Sequence, residues 1–185
     1  MFSIYTNIIL NFIKKMEDSV KKWLADHKIK YVLHTHPAVF TVPEAKKHCG
    51  HIPGTHCKNL LLKNKKSGQL YLVTIPHEKR LNINQFRKMI GAPKIRFAMP
   101  EDLFESLGIT PGAVSPIGLV NDIHDKVIFI VDKSVWDADD ICCHPNINTE
   151  TLQIPGLEFQ KLIKATETSM EIKNLPYSEP TDTNE

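Results

Sequence analysis

The chain has 185 residues, 42% of them hydrophobic and 24% charged, with 12 Pro and 8 Gly. That is the size and composition of one globular domain and excludes disordered, collagenous and coiled-coil chains. The net charge of +2 hides a split: residues 1–100 hold 18 Lys and Arg against 5 Asp and Glu, and residues 101–185 hold 5 against 16. The split points to a basic surface aimed at a polyanion, unless the fold interleaves the two halves. Four cysteines, two of them adjacent, make no disulfide framework and fit a reducing, cytoplasmic setting. No apolar run reaches the ~20 residues of a membrane helix.

Residues 1–16 are apolar but lack a basic start and a small-residue cleavage site, so they read as an N-terminal extension; weak targeting and an oligomer-forming helix are the other readings. Glu17–His27 sets Val20, Trp23 and Leu24 at helical spacing. Tyr31–His36 alternates like a strand. Thr41-Val42-Pro43-Glu44 starts a helix that ends by Gly50, with Thr41 as cap. Lys58–Lys63 and Gln69–Ile75 are apolar runs joined by Asn64-Lys65-Lys66-Ser67-Gly68, the pattern of a five-residue hairpin. A helix over Ile83–Ile90, a strand over Ile95–Ala98 and a helix over Pro100–Leu107 follow, the last closed by Gly108. Pro111–Gly118 reads as a loop, and Lys126–Val131 as a central strand covered on both faces. Ile141–Cys143 and Thr151–Ile154 are short strands, and Leu157–Ile163 is a closing helix. The domain is expected over residues 17–166, with 167–185 a polar tail that is disordered from Ser178. The fold class is α+β: a single domain with a mixed, mainly antiparallel β-sheet and flanking helices.

Nucleophile elbows, HExxH, P-loops and dinucleotide fingerprints are absent, which removes most serine hydrolases, zincins, NTPases and Rossmann enzymes. His48-Cys49-Gly50-His51 with His56-Cys57, and His34 and His36 upstream, has a metal-like composition but no Cys-x-x-Cys spacing, so no metal or other cofactor is expected. Lys58 stands where a glycine-bearing loop enters an apolar strand. Such an ammonium can orient a carbonyl or phosphate, although a lysine at a sheet edge shows the same local pattern. Gly112–Gly118 offers backbone groups for close approach to a ligand, or else a tight crossover. His144-Pro145-Asn146 with Asn148-Thr149 is a polar turn.

Together these segments carry a resemblance. His36–Ala45, Gly54-x-x-x-Lys58-Asn59-Leu60-x-Leu62 followed by Leu70-Tyr71-Leu72-Val73, the stretch Leu107–Asp122 and His144-Pro145-x-x-Asn148-Thr149 resemble, in the same order, the motifs of the prolyl-tRNA-synthetase-associated editing domain family. The match runs from about Lys30 to about Ile163. Ser115 stands where Thr is usual and Ile117 where Phe is common; Cys142-Cys143 replaces an aliphatic–aromatic pair, and the closing helix lacks a terminal Gly-His.

The resemblance implies a trans-editing aminoacyl-tRNA deacylase that hydrolyses mischarged tRNA(Pro), foremost Ala-tRNA(Pro), with water and a substrate hydroxyl and without a covalent enzyme nucleophile. A non-catalytic tRNA-binding or regulatory module of the same fold is the alternative. Lys58, Gly112, Ser115 and His144 would be catalytic. Val39, Phe40, Asn59, Ala113, Val114, Pro116, Gly118, Asn148 and Thr149 would line the substrate site. Lys63, Lys65, Lys66, Lys79, Arg80, Arg87, Lys88, Lys94 and Arg96 would hold the tRNA. The partners implied are the aminoacylated acceptor end of tRNA(Pro) and prolyl-tRNA synthetase, with no membrane.

Overall fold

The computed structural model describes residues 18–39 and 42–179. The apolar extension, Phe40, the cap Thr41 and residues 180–185 lie outside the described residues. The elements run α1 (residues 18–26), β1 (Val32–Thr35), α2 (Val42–Cys49), β2 (Thr55–Asn64), β3 (Leu70–Pro76), α3 (Ile83–Met89), β4 (Ile95–Phe97) and α4 (Pro100–Leu107). A 3-10 helix (Pro116–Asn121) follows, then β5 (Val127–Asp132), α5 (Lys133–Trp136), β6 (Asp140–Cys143), β7 (Glu150–Pro155), α6 (Gly156–Ala165) and β8 (Met170–Lys173).

All eight strands join in one mixed sheet of order β1-β7-β6-β2-β3-β5-β8, with β4 also on β2. Four pairings are antiparallel and three parallel. The period-2 alternation of β2 and β3 explains the two cores. Leu61 and Leu72 face α1, α4 and α6 with Phe129, Phe159 and Leu162. Leu62, Val73 and Ile75 face the other way, onto Phe86, Ile130 and Leu175. Burial of each such side chain stabilises by about 1.5–3 kcal/mol. Strand β5 lies between β3 and β8, both parallel to it, which accounts for its continuous apolar run.

Three elements correct the sequence reading. Part of the expected Pro111–Gly118 loop winds into the 3-10 helix, because the Ser115 hydroxyl accepts from the Ile117 amide and caps it. Asp132 starts α5 by accepting from the Ser134 amide at 2.9 Å. The largest difference lies in residues 167–185, expected as a polar tail. Met170–Lys173 is an edge strand on β5, and Leu175 beyond it is buried. An edge strand half open to water has polar composition and gives little apolar signal. The two charge halves also interleave, since β1, β2 and β3 are separated or flanked by strands of the acidic half. Among the described residues no helix is long and apolar enough to cross a membrane.

Candidate functional site

The site grows from a gap beside β2. On one edge of β2, β6 pairs in parallel with Thr55 and His56, and β4 pairs with Leu62–Asn64. Residues 57–60 lie between these partners. Val114 and Ser115 close the opening: Asn59 Nδ2 donates to the Val114 carbonyl at 3.0 Å, and the Ser115 hydroxyl donates to the His144 carbonyl just past β6. Gly54 lets β6 start this close to β2, because its φ is +118° and a Cβ there would come within 2.9 Å of Asp140 Cβ.

Register places the chemistry. The parallel pairing ends at His56 and Cys142; Lys58 lies two residues further along β2, on the face that bears His56, and His144 lies two residues beyond Cys142, just past the end of β6. Lys58 is half-buried, and no carboxylate among the described residues lies within ion-pair distance of its ammonium. Burial lowers its pKa; Glu78 opposes that shift and Arg80 adds to it.

His144 Nδ1 is 2.9 Å from the Glu150 carbonyl. A carbonyl only accepts, so Nδ1 carries the proton and Nε2 keeps its lone pair. Burial lowers the His144 pKa, the Glu150 carbonyl opposes that, and His36 and His56 reinforce it. The imidazole is therefore neutral near pH 7. His36 stands edge-on to it, ring centroids 6.1 Å apart, and is itself held by Thr151 Oγ1 and the Pro37 carbonyl.

Several expected site residues have other tasks. Asn59, expected in the polar lining, faces away from Lys58; it grips Val114 and accepts from the Thr74 hydroxyl at 2.7 Å. Ser115, expected to be catalytic, is fully buried, with its hydroxyl spent on His144 and Ile117. Ala113, Pro116 and Gly118 are buried, and a Cβ on Gly118 would meet Leu107 Cβ at 3.3 Å, so they support the loop from behind. Gly112 is exposed at φ +87°, a left-handed turn that favours glycine. Asn148 clamps Val39 from both sides: its main-chain carbonyl accepts from the Val39 amide at 3.1 Å, and its side-chain Nδ2 donates to the Val39 carbonyl at 3.3 Å. The Thr149 carbonyl accepts from the His36 amide.

The cysteines are buried or half-buried free thiols, and burial pushes Cys142 up to about 12. They are poor nucleophiles at neutral pH. Among the described residues no group of three or more His, Cys, Asp or Glu gathers as a metal set.

The basic residues divide. Lys63 and Arg96 both bind Asp102, at 2.5 and 3.2 Å. Burial alone would raise the Asp102 carboxyl, but the Lys63 hydrogen bond, the Met99 amide and the two cations hold it below the usual range. These two expected tRNA contacts therefore share one carboxylate within the fold, which offsets one of their two charges. Arg87 bonds Asn84 and the Pro93 carbonyl. Lys65, Lys66, Lys88 and Lys94 are exposed, and Lys65 and Lys66 lie on the hairpin turn about 23 Å along β2 from Lys58. Lys79 and Arg80 follow β3 at the Lys58 end. A cavity of about 320 Å³ opens at the far end, lined by Lys63, Gln69, Asp102, Ser106 and Lys126.

The sequence reading weighed His56 only within a metal-like cluster and did not single out His77. Their rings meet at 5.7 Å, and the His77 amide donates to the His56 carbonyl. Counting two back from Lys58 along its strand would have found His56.

Comparison with known proteins gives a concordant picture. The family model for the aminoacyl-tRNA editing domain matches residues 36–162. Prolyl-tRNA synthetase associated domain-containing protein 1 of Xenopus laevis is 34% identical over 148 residues, 78% of this chain and 88% of the relative. Prolyl-tRNA editing protein ProX of Acetoanaerobium sticklandii is 32% identical over 142 residues, 77% and 87%. A solved structure described as a proposed trans-editing enzyme for prolyl tRNA synthetase superposes with TM-score 0.68 at 20% identity, covering 88% of this chain and 98% of that one, which establishes the shared fold.

Proposed function

Because the chain belongs to the aminoacyl-tRNA editing domain family, we propose that it is a trans-acting deacylase of mischarged tRNA(Pro), with alanyl ester as its preferred substrate. The observation that carries this reading is the half-buried Lys58 ammonium, free of ion pairs among the described residues, two positions past the β2 residue that pairs with Cys142, while His144, its Nδ1 on the Glu150 carbonyl and its pKa lowered by burial, lies two positions past Cys142. A cation in that setting binds an acyl oxygen more strongly as it becomes an oxyanion, an effect worth about 3–4 kcal/mol per donor.

An aminoacyl ester is already activated, so a held water suffices. The water oxygen bonds to the acyl carbon and its proton passes to His144 Nε2. The ester C–O bond breaks, and the ribose oxygen leaves with that proton, helped by the neighbouring ribose hydroxyl. Gly112–Val114 backbone and Val39 border the acyl group. Discrimination is by size: a site that fits a methyl group excludes the proline ring, whereas a synthetase rejects a smaller side chain by only about 1–3 kcal/mol per methylene. The exposed cations contribute phosphate contacts without sequence readout.

The test mixes purified protein with Ala-tRNA(Pro) and Pro-tRNA(Pro). Loss of the alanyl ester alone, abolished by Lys58→Ala, is the expected result. Tight, salt-sensitive tRNA binding with no turnover of Ala, Ser, Gly or Cys esters would instead assign a binding module.

A further inference from the structure

The family match ends at residue 162, yet the chain continues into β8 and a strap over residues 174–179 that returns to the Lys58 end of the sheet. The strap is anchored first by Leu175, which is buried and whose amide donates to Asp132 Oδ2 at 3.0 Å. It then runs beside the turn that follows β3. The Asn82 amide donates to the Pro176 carbonyl and the Ser178 amide donates to the Arg80 carbonyl, each at 2.8 Å, and Tyr177 bridges Leu81. The Tyr177 ring lies 5.8 Å from Lys79 Nζ. Every residue from Lys79 to Asn82 is thus tied to the strap by backbone or ring.

That turn carries the two exposed cations nearest Lys58 along the strands: Cys57 pairs with Pro76, so Lys79 and Arg80 lie three and four residues beyond the partner of Lys58's own neighbour. Neither is in an ion pair among the described residues. Lysine and arginine on a free turn lose entropy when they grip an anion; a turn already held has less to lose.

We propose that the C-terminal strap is a positioning element that presents Lys79 and Arg80 to the phosphodiesters adjoining the aminoacylated end of the RNA. Tyr177 and the Ser178 amide act through Lys79 and Arg80 and do not touch the reacting atoms. The proposal rests on the deacylase reading for its substrate, but its first readout is RNA binding alone.

The experiment compares full-length wild type with Tyr177→Ala, Tyr177→Phe, Ser178→Pro (which removes the amide donated to Arg80) and Arg80→Ala. Uncharged tRNA(Pro) affinity is measured across a salt series, then kcat and KM on Ala-tRNA(Pro) and on alanyl-adenosine, which has no phosphodiester. Tyr177→Ala, Ser178→Pro and Arg80→Ala should weaken tRNA binding about fivefold and lower the salt slope by roughly one phosphate contact. In Tyr177→Ala and Ser178→Pro, KM should rise on tRNA with kcat kept and alanyl-adenosine hydrolysis should be unchanged, and Tyr177→Phe should behave as wild type. Unchanged affinity and slope in folded Tyr177→Ala and Ser178→Pro would overturn the proposal. So would equal losses on tRNA and alanyl-adenosine. Absence of all turnover in the wild type would defeat the deacylase reading while leaving the binding comparison decisive for the strap.

Discussion

Asn59 offers the sharpest check on how the site is held. Its side chain is the tie between β2 and the Gly112–Ser115 loop: Nδ2 donates to the Val114 carbonyl, and Oδ1 accepts from Thr74, whose side chain is fully buried. Asn59→Ala leaves a carbonyl and a hydroxyl without partners, at about 1–3 kcal/mol each. Partial relaxation at the half-buried Val114 brings the expected total to roughly 2–4 kcal/mol, a Tm lower by about 5–12 °C for a chain of this size. Release of Val114 also moves the loop, and a displacement of about 1 Å costs on the order of 100-fold in rate. Thr74→Val removes only the second hydrogen bond, so it should cost about 1–2 kcal/mol with kcat near wild type. Asn59→Asp keeps the Thr74 bond but sets a carboxylate oxygen against the Val114 carbonyl, and should be as inactive as Asn59→Ala. Thermal melts and single-turnover deacylation, both run well below each Tm, separate these effects. A folded Asn59→Ala with wild-type kcat would refute the claim that this bond positions the loop.

Three further outcomes follow from named contacts. Ser115→Ala should destabilise by about 1–3 kcal/mol, with Ser115→Thr restoring stability, and should reduce kcat by no more than about tenfold; a folded but inactive Ser115→Ala would return the hydroxyl to the chemistry. Burial lowers the His144 pKa, so below about pH 6.5 the unfolded chain takes up a proton before the folded chain does, and stability falls with acidification in that window. The acid limb of kcat should accordingly lie below pH 6.5, and a limb at or above that value would show that His144 is not held neutral. Asp102→Asn breaks the partly buried ion pairs to Lys63 and Arg96 and should cost about 1–2 kcal/mol at pH 7 in urea unfolding. Because the native Asp102 pKa is depressed, its contribution is present above the unfolded value and is lost as pH falls through the native one. A pH-independent difference would contradict that assignment.

Elements with a strong apolar period were legible from residues alone. The β2–β3 hairpin and its Asn64–Gly68 turn, α4 with Gly108 at its end, and the buried run of β5 all announce themselves by side-chain spacing. Strand β8 does not, because one of its edges is open to water and only Met170 and Ile172 mark its alternation. Lys58 and His144 were legible as chemistry-bearing types, but what brings their segments to one end of the sheet is a two-residue parallel pairing between strands some 85 positions apart, which no local pattern encodes. The face of Asn59 was a different matter: neighbouring residues of a strand point to opposite sides, so identifying Lys58 with the site already sends Asn59 to the supporting layer.

The charge split shows how far composition carries a functional argument. A basic half and an acidic half would make two poles only if the halves packed apart, and here they share one sheet. Asp102, from the acidic half, offsets one of the two charges of Lys63 and Arg96 and through them ties β2, β4 and α4 together. Among the exposed cations, Lys65 and Lys66 lie on the hairpin turn, with Lys94 bonded beside it, and Lys79 and Arg80 follow β3 at the other end, while Lys88 stands on α3. A polyanion bound at both ends must therefore lie along the hairpin with its terminus at Lys58. Neutralising Lys65 and Lys66 together should then lower the salt slope for tRNA by about two contacts and leave hydrolysis of alanyl-adenosine untouched, as measured by the same salt series and ester assay. If the slope instead stays at its wild-type value, the RNA approaches from another side and the hairpin turn plays no part in holding it.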